Sequence, residues 1–255
     1  MKLKFLGTGT SQGVPVIGCK CKVCTSTNFK DKRFRTSALV TSDFGKKILI
    51  DCGPDFRQQM LDNDEAHVDV VLITHEHTDH VIGLDDLRPI IFRNKKDMPI
   101  YTLPRVAKQI KDKFHYAFAE IKYPGAPSFE MHEINIEKFK VENIEVTPIH
   151  FLHYKLPVLG FKIKNLCYIT DASFFPEETL EMLKNLDVLI INCLRKLPSH
   201  ISHFVLPEIL ELNKILNPKK MYLLHISHEF GLHDEVQKEL PKNMFLAYDS
   251  LEIEF

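Results

Sequence analysis

The stretch THEHTDH, residues 74–80, directly follows an apolar run rich in β-branched residues. Because alternate side chains of a strand project to the same side, we expect His75 and His77 to face one side of the strand end. Two imidazoles in this arrangement provide half of a tetrahedral site for a borderline metal ion. Asp79 and His80 follow where the chain turns, so they can face a second ion about 3.5–4 Å from the first. The stretch therefore predicts a binuclear metal site.

A complete binuclear site needs further ligands, which we expect at the ends of other strands. An aspartate could bridge the two ions, and additional histidines would complete the coordination of each ion. Nitrogen and carboxylate ligands favour Zn, Mn or Fe over Ca or Mg. The candidates are His150 and His153 after IEVTPI (144–149), Asp171 after LCYIT (166–170), and His225 within MYLLHI (221–226).

The composition is typical of a globular protein with little excess charge. Of the 255 residues, 44% are hydrophobic and 26% charged, so the chain can bury a substantial core. The 33 Lys and Arg residues balance 34 Asp and Glu residues, which argues against a grip on extended nucleic acid. The N-terminus lacks the apolar run of a signal peptide, and no segment approaches the roughly 20 apolar residues of a membrane span. We therefore expect a cytoplasmic protein with neither extended nucleic acid nor a membrane as partner.

Short strands are interspersed with helices along the chain. The strand runs combine β-branched or aromatic residues with turn signals, and the helical segments carry apolar residues at helical spacing. No repeat or linker interrupts the pattern, so we interpret residues 1–255 as one domain with an α/β sandwich fold. Strands are predicted at 2–7, 36–42, 46–52, 68–74, 144–149, 158–164, 166–170, 187–192, 221–226, 244–249 and 251–255, and helices at 54–63, 105–121, 176–186, 206–216 and 234–240.

The cysteines are distributed unevenly. Cys19, Cys21 and Cys24 fall within six positions, whereas the other three cysteines lie singly in apolar runs. This distribution is typical of metal ligands rather than of a disulfide framework. The pattern C-x-C-x-x-C offers three thiolates from one loop, and a histidine as fourth ligand would close a structural zinc site.

The pattern H-x-H-x-D-H after an apolar strand resembles the signature of the metallo-β-lactamase superfamily. The resemblance extends over nearly the whole chain, because the remaining candidates follow in the order found in that family. It implies a four-layer αββα sandwich with two sheets face to face, helices outside and two metal ions at the sheet edge. The implied ligands are His75, His77 and His153 for one ion, Asp79, His80 and His225 for the other, and Asp171 as the bridge.

A narrower resemblance points to the branch that contains the cyclic phosphodiesterase of the carbon–phosphorus lyase pathway, which hydrolyses a phosphoribosyl cyclic phosphate. That branch has C-x-C-x-x-C near the N-terminus and two closely spaced histidines near the C-terminus, here His225 and His228. The resemblance implies that His228 joins the three cysteines around a structural zinc ion. It also favours His153 over His150 as a ligand. The segments that carry it are GTGTSQGVPVIGCKCKVC (7–24), FRTSALV (34–40), GLDDLRP (83–89), HYKLPVLGF (153–161), ITDAS (169–173) and HISH (225–228).

Further roles concern proton transfer and the orientation of the ligands. By the same resemblance, His203 takes the place of the general-acid histidine, and His200, three residues earlier, stays an alternative. A histidine with a pKa near 6.5 can donate a proton to a leaving alkoxide at physiological pH. Asp79 belongs to the catalytic set as well as to the ligands. Asp51 is expected to accept a hydrogen bond from a ligand imidazole and so to orient it.

An anionic substrate also needs fixed cations. Arg88 in GLDDLRP is the first candidate, and Arg35 and Lys155 are further ones. Each of them is equally explained as a surface cation or as the partner of a neighbouring carboxylate such as Asp85. The sequence as a whole predicts a metal-dependent hydrolase, and specifically a phosphodiesterase that acts on a small phosphodiester, cyclic or open.

Other interpretations stay open. The tRNA 3′-end endonuclease shares the metal pattern, but it normally carries a long protruding arm, and no Gly-, Pro- and Lys-rich insertion of that kind is present. The pyrroloquinoline quinone biosynthesis B protein also resembles this architecture. A metal-binding protein without hydrolytic activity, or an iron redox protein, would use the same ligands. The oligomeric state stays open as well, with a homodimer the commonest arrangement among soluble oligomers.

Overall fold

Two β-sheets of seven strands each form the centre of the protein, for which a computed structural model describes residues 1–255. The strands are β1 (Lys2–Gly7), β2 (Ser37–Thr41), β3 (Lys47–Ile50), β4 (Val70–Leu72), β5 (Met98–Thr102), β6 (Phe129–Glu133), β7 (Phe139–Val141), β8 (Ile144–His153), β9 (Leu156–Ile163), β10 (Leu166–Tyr168), β11 (Val188–Asn192), β12 (Lys220–Leu224), β13 (Met244–Leu246) and β14 (Glu252–Glu254). The α-helices are α1 (Phe56–Asp62), α2 (Thr78–Val81), α3 (Arg88–Asn94), α4 (Pro104–Lys113), α5 (Glu177–Met182), α6 (Leu206–Leu216) and α7 (His233–Glu239).

Each sheet has an antiparallel half and a parallel half. The first sheet has the order β14-β1-β2-β3-β4-β5-β6, with antiparallel pairs as far as β3 and parallel pairs beyond it. The second sheet has the order β13-β12-β11-β10-β9-β8-β7, with parallel pairs as far as β10 and antiparallel pairs beyond it. In the parallel halves, helices complete the crossover connections between strands.

The apolar residues of the strands divide between the two faces of each sheet. In β3, Ile48 and Ile50 lie between the sheets and Leu49 faces the outer side, as the two-residue period of a strand requires. The layer between the sheets also contains Leu72 of the first sheet and Phe161 of the second. Strands of this kind are apolar on both faces because both faces are covered.

Helices cover the outer face of each sheet. Met60 of α1, Ile90 of α3 and Ile110 of α4 belong to the buried cluster of the first sheet. Ile209 of α6 and Val236 of α7 belong to the corresponding cluster of the second sheet. The predicted four-layer αββα sandwich is therefore confirmed. None of the helices has both the length and the apolar character needed to cross a bilayer.

The largest departure from the predicted elements lies in the segment after β5. A single helix was expected over 105–121, but α4 ends at Lys113 and a short 3-10 helix follows at His115–Ala117. The break lets the rings of Phe114 and Phe118 pack against Phe129 of β6, with centroids 6.2 and 5.9 Å apart. Aromatic packing onto an edge strand thus outweighs the continuation of the helix. Strands β5, β6 and β7 were not among the predicted ones.

Candidate metal centre

Four of the predicted ligands lie together where three strands end. His75 and His77 follow β4, His153 is the last residue of β8, and Asp171 follows β10. One donor atom from each of these side chains lies within 4.8 Å of all the others. Three imidazole nitrogens and a carboxylate oxygen at this spacing form a donor set suited to a borderline divalent ion.

A second group of side chains shares Asp171 with the first. His80, Asp171 and His225 also have donor atoms within 4.8 Å of one another. The Asp171 carboxylate approaches Nδ1 of His225 at 2.9 Å through Oδ1 and Nε2 of His80 at 3.5 Å through Oδ2. Oδ2 of Asp79 lies 3.3 Å from the same nitrogen of His80. A carboxylate that faces both groups has the position from which two ions can be bridged.

Two buried imidazole nitrogens in the centre lack hydrogen-bond partners. They are Nε2 of His75 and Nε2 of His80, on side chains that are fully buried. A buried polar atom without a partner is costly and requires an explanation. Both nitrogens face Oδ2 of Asp171, at 3.8 and 3.5 Å. Divalent ions among these groups would satisfy both nitrogens, so the residues fit a pair of metal ions.

The charges around His80 create a negative potential in the centre. Burial opposes protonation of His80, yet Asp79, Asp171 and Asp51 together raise its pKa well above the ordinary value. By contrast, burial and the neighbouring His80 lower the pKa of His75 well below the ordinary value. His75 is therefore held in the neutral form that binds metal ions, inside a site whose carboxylates favour a cation.

Asp51 orients His80 from the side opposite to Asp171. Its Oδ2 lies 2.7 Å from Nδ1 of His80 and accepts a hydrogen bond from Oγ1 of Thr74 at 2.9 Å, while Oδ1 accepts from the backbone N–H of Thr74 at 2.8 Å. All of these groups are fully buried. With Nδ1–H held by the carboxylate, Nε2 of His80 is the nitrogen left to bind a metal ion.

Three residues of the centre have a left-handed backbone. Asp51, Asp171 and His225 have φ values of 60°, 61° and 57°. Non-glycine residues rarely adopt this conformation, although Asp and His tolerate it better than most. Each of the three follows the end of a strand and turns the chain there. Such outliers concentrate at functional sites, where the surrounding structure holds them in place.

His153, and not His150, belongs to the cluster. Its Nδ1 donates a hydrogen bond to the carbonyl oxygen of Ser202 at 2.7 Å, which leaves Nε2 as the free nitrogen. His150 lies three residues earlier on β8, so strand alternation directs its side chain to the other face of the sheet.

His203 lies at the edge of the cluster, in front of His200. Nε2 of His203 is 3.4 Å from Oδ2 of Asp171 and has no hydrogen-bond partner. On the other side of the ring, its Nδ1 lies 3.1 Å from Oγ of Ser202 and 3.2 Å from Nδ1 of His200. Of the two histidines, His203 is therefore the one that faces the centre.

The four side chains predicted for the structural zinc site also lie together. Donor atoms of Cys19, Cys21, Cys24 and His228 lie within 4.8 Å of one another, and Nδ1 of His228 is 3.4 Å from the sulfurs of both Cys19 and Cys21. The backbone N–H of Cys24 and then the His228 ring lower the pKa of Cys21 to about 6, so this thiol ionises at neutral pH. Burial raises the pKa of Cys24 to about 11, so a cation is needed to deprotonate it there. The group suits a structural zinc ion.

The three predicted substrate cations differ in their partners. Arg88 forms an ion pair with Asp85 at 2.6 Å, and Arg35 forms one with Asp55 at 2.7 Å. Lys155 has no carboxylate within 4 Å, and its Nζ lies 5.3 Å from the centroid of the Tyr154 ring.

Several supporting residues were not predicted from the sequence. Oγ1 of Thr36 lies 3.3 Å from Nδ1 of His225, and the Ser202 carbonyl holds His153. Arg105 forms an ion pair with Glu76, between His75 and His77, and donates to the carbonyl oxygen of Pro157 at 2.6 Å. The contacts of Thr36 and Ser202 could not be predicted, because a single hydroxyl or carbonyl group belongs to no recognisable sequence motif. Glu76 lies inside the predicted metal-binding motif, between two histidines, but no sequence pattern connects it with Arg105.

The chain is similar to known proteins over its full length. The sequence profile of a beta-lactamase superfamily domain matches residues 46–226. An octanoyltransferase from Porphyromonas gingivalis is 42% identical over 99% of this chain and 51% of its own length, so this chain spans only about half of that relative. A solved diphosphatase of the PhnP family is 36% identical, with a TM-score of 0.93 over 100% of this chain and 96% of that one. Zn²⁺-bound PqqB from Methylobacterium extorquens, 18% identical with a TM-score of 0.80 over 100% of both chains, shares the fold.

Replacing Asp51→Asn should weaken metal binding about 10–100-fold, because the amide no longer provides the charged acceptor that orients His80. Competition with a chromogenic chelator measures the affinity. Asp69→Asn is the matched control, since Asp69 also contacts an imidazole, that of His67 at 2.9 Å, but outside the centre. Unchanged affinity in the Asp51 variant would contradict the role assigned to this carboxylate.

Replacing Cys21→Ala should remove one metal ion per chain, because the structural site then loses a thiolate ligand. Elemental analysis of the purified protein gives the metal content. Cys167→Ala, which removes a buried thiol of β10 that belongs to no donor group, should leave the metal content unchanged. Equal metal content in both variants would rule out a site at the three cysteines.

Proposed function

The chain belongs to the beta-lactamase superfamily, and on that premise we propose that it is a metal-dependent hydrolase that cleaves a small phosphodiester. One observation carries the proposal. Asp171 stands between two groups of imidazoles, and Nε2 of His203 approaches the same carboxylate at 3.4 Å. This arrangement supports a cation-binding centre and a proton donor that act on the same reacting atoms.

The likeness to a diphosphatase supports phosphorus as the centre that is attacked. That protein is 36% identical over the whole of this chain. The similar octanoyltransferase is about twice as long as this chain, so octanoyl transfer is the rival activity that the assay must include. The similarity to PqqB supports the fold alone.

The chain's own residues have separate parts in the proposed reaction. When bound, two divalent ions, of Zn, Mn or Fe, supply positive charge that polarises the phosphoryl oxygens and acidifies a water molecule. Asp51 and the Ser202 carbonyl hold His80 and His153 in the orientation in which these imidazoles would bind the ions. His203 delivers a proton from Nε2 to the leaving oxygen, while Ser202 Oγ and His200 contact its other nitrogen.

We propose a small anionic molecule as the substrate. The chain carries 33 Lys and Arg residues against 34 Asp and Glu residues, so it has no basic excess for many phosphates of a long nucleic acid. A small substrate needs only the centre itself and a few groups at its mouth. This separates the proposal from a tRNA endonuclease, which must hold a folded RNA.

The proposal is tested by turnover of bis(p-nitrophenyl) phosphate, with an octanoyl thioester as the competing substrate. We expect hydrolysis of the phosphodiester, its loss on treatment with a chelator, and a decrease of at least about 100-fold in His77→Ala. His67→Ala, which removes a partly exposed histidine outside the centre, serves as the control. Hydrolysis of the thioester alone, or stoichiometric iron without turnover of either compound, would contradict the proposal.

The proton-donor role predicts a dependence on the leaving group. His203→Ala should slow hydrolysis of uridine 2′,3′-cyclic phosphate, which expels an alkoxide, about 10²–10⁴-fold. The same variant should slow p-nitrophenyl esters much less, since p-nitrophenolate leaves without a proton. Steady-state rates of wild type, His203→Ala and His200→Ala on both substrates measure the effect. A larger leaving-group effect in His200→Ala would transfer the role to His200.

A further inference from the structure

A cavity of about 470 Å³ opens directly beside the proposed metal centre. His77 and His153 form its inner side, and Tyr154, Lys155, Leu156 and Ile201 form its outer side. Small-molecule sites measure roughly 300–1,000 Å³ and combine apolar walls with a few polar groups. This cavity has both the size and the composition for the part of a substrate that extends beyond the reacting phosphoryl group.

The outer side of the cavity is built from the tip of a β-hairpin. His153 of β8 pairs with Leu156 of β9, so Tyr154 and Lys155 alone form the loop. Two-residue loops of this kind favour Asn or Gly at positions with positive φ. Here a tyrosine has a φ of 55°, and 49% of its surface is exposed. A bulky aromatic residue in this conformation is unfavourable for the fold, and such exceptions point to a function.

Lys155 differs from the other cations proposed to meet the substrate. Arg88 and Arg35 are neutralised by Asp85 and Asp55, whereas Lys155 has no carboxylate within 4 Å. Its Nζ lies 5.3 Å from the centre of the Tyr154 ring, so the positive charge and the aromatic face are presented together. An unpaired ammonium group beside an exposed ring is suited to an anion that adjoins a planar group.

We propose that Tyr154 and Lys155 form a subsite for a planar ring and a second phosphate, so that the substrate is a nucleotide-like phosphodiester. The inference rests on the proposed function, which it extends from the reacting group to the rest of the substrate. The ring stacks on Tyr154 with Leu156 and Ile201 as the apolar surroundings, and 71% of Ile201 is exposed for such a contact. Lys155 pairs with the second phosphate, which does not react.

The test uses three p-nitrophenyl phosphodiesters with the same leaving group: the methyl ester, the thymidine 5′ ester and the thymidine 5′ ester with a 3′-phosphate. Tyr154→Asn should lower the preference for the thymidine esters over the methyl ester, measured as a ratio of kcat/KM, about tenfold. Tyr154→Phe should keep the preference, because it keeps the ring. Lys155→Gln should lower the preference for the 3′-phosphate about tenfold, whereas Lys242→Gln, an exposed lysine elsewhere, should not.

The thermal midpoint separates binding from folding in these variants. Tyr154→Asn should unfold at the same temperature as wild type or higher, since Asn tolerates positive φ better than Tyr. If Tyr154→Asn and Lys155→Gln kept the wild-type ratios of kcat/KM between the esters, the subsite would be overturned. An equal loss of activity on all three esters leaves those ratios unchanged and counts as the same result. If wild type hydrolysed none of the esters, the proposed function would fail by itself. Calorimetric titration with thymidine 3′,5′-bisphosphate would then decide on the subsite, which requires binding that both variants weaken.

Discussion

The carboxylate of Asp171 is the group on which the whole centre depends. Its oxygens face the imidazoles of His75, His80, His203 and His225 at distances between 2.9 and 3.8 Å. Burial opposes ionisation of Asp171, but His225 and His80 lower its pKa well below the ordinary value. The two oxygens of this carboxylate leave the Nε2 atoms of His75, His80 and His203 without hydrogen-bond partners, and cations bound between these groups would satisfy buried nitrogens. The carboxylate is therefore the link between two ligand groups that would otherwise be separate sites.

The packing of the two sheets is what brings these ligands together. The segment with His75 and His80 follows β4 of the first sheet, whereas Asp171 and His225 follow strands of the second sheet. The buried layer between the sheets, which contains Leu72 of the first sheet and Phe161 of the second, fixes their relative position. Metal ions at this edge would be coordinated by residues from both sheets and would therefore stabilise the folded chain.

The sequence predicted which metal-ligating side chains lie together far better than it predicted their surroundings. The predicted ligand positions and the cysteine group lie at strand ends or in tight spacings. The structure groups six of the seven positions around Asp171, with Asp79 beside His80, and groups the three cysteines with His228. The contacts of Thr36 with His225 and of Ser202 with His153 each depend on a single oxygen atom from a distant part of the chain. No local sequence pattern predicts them. The break of α4 at Lys113 depends on packing against Phe129, which is equally invisible to local periodicity. Only the three-dimensional structure shows that Lys155, unlike Arg35 and Arg88, has no carboxylate partner.

The most direct test of this account is a crystal structure of the protein with its native metals, located by anomalous diffraction at their absorption edges. The account predicts two ions about 3.5–4 Å apart with Asp171 coordinating both of them, and a third ion among the three cysteines and His228. A single ion at the strand ends, or a pair of ions that Asp171 does not touch, would contradict it.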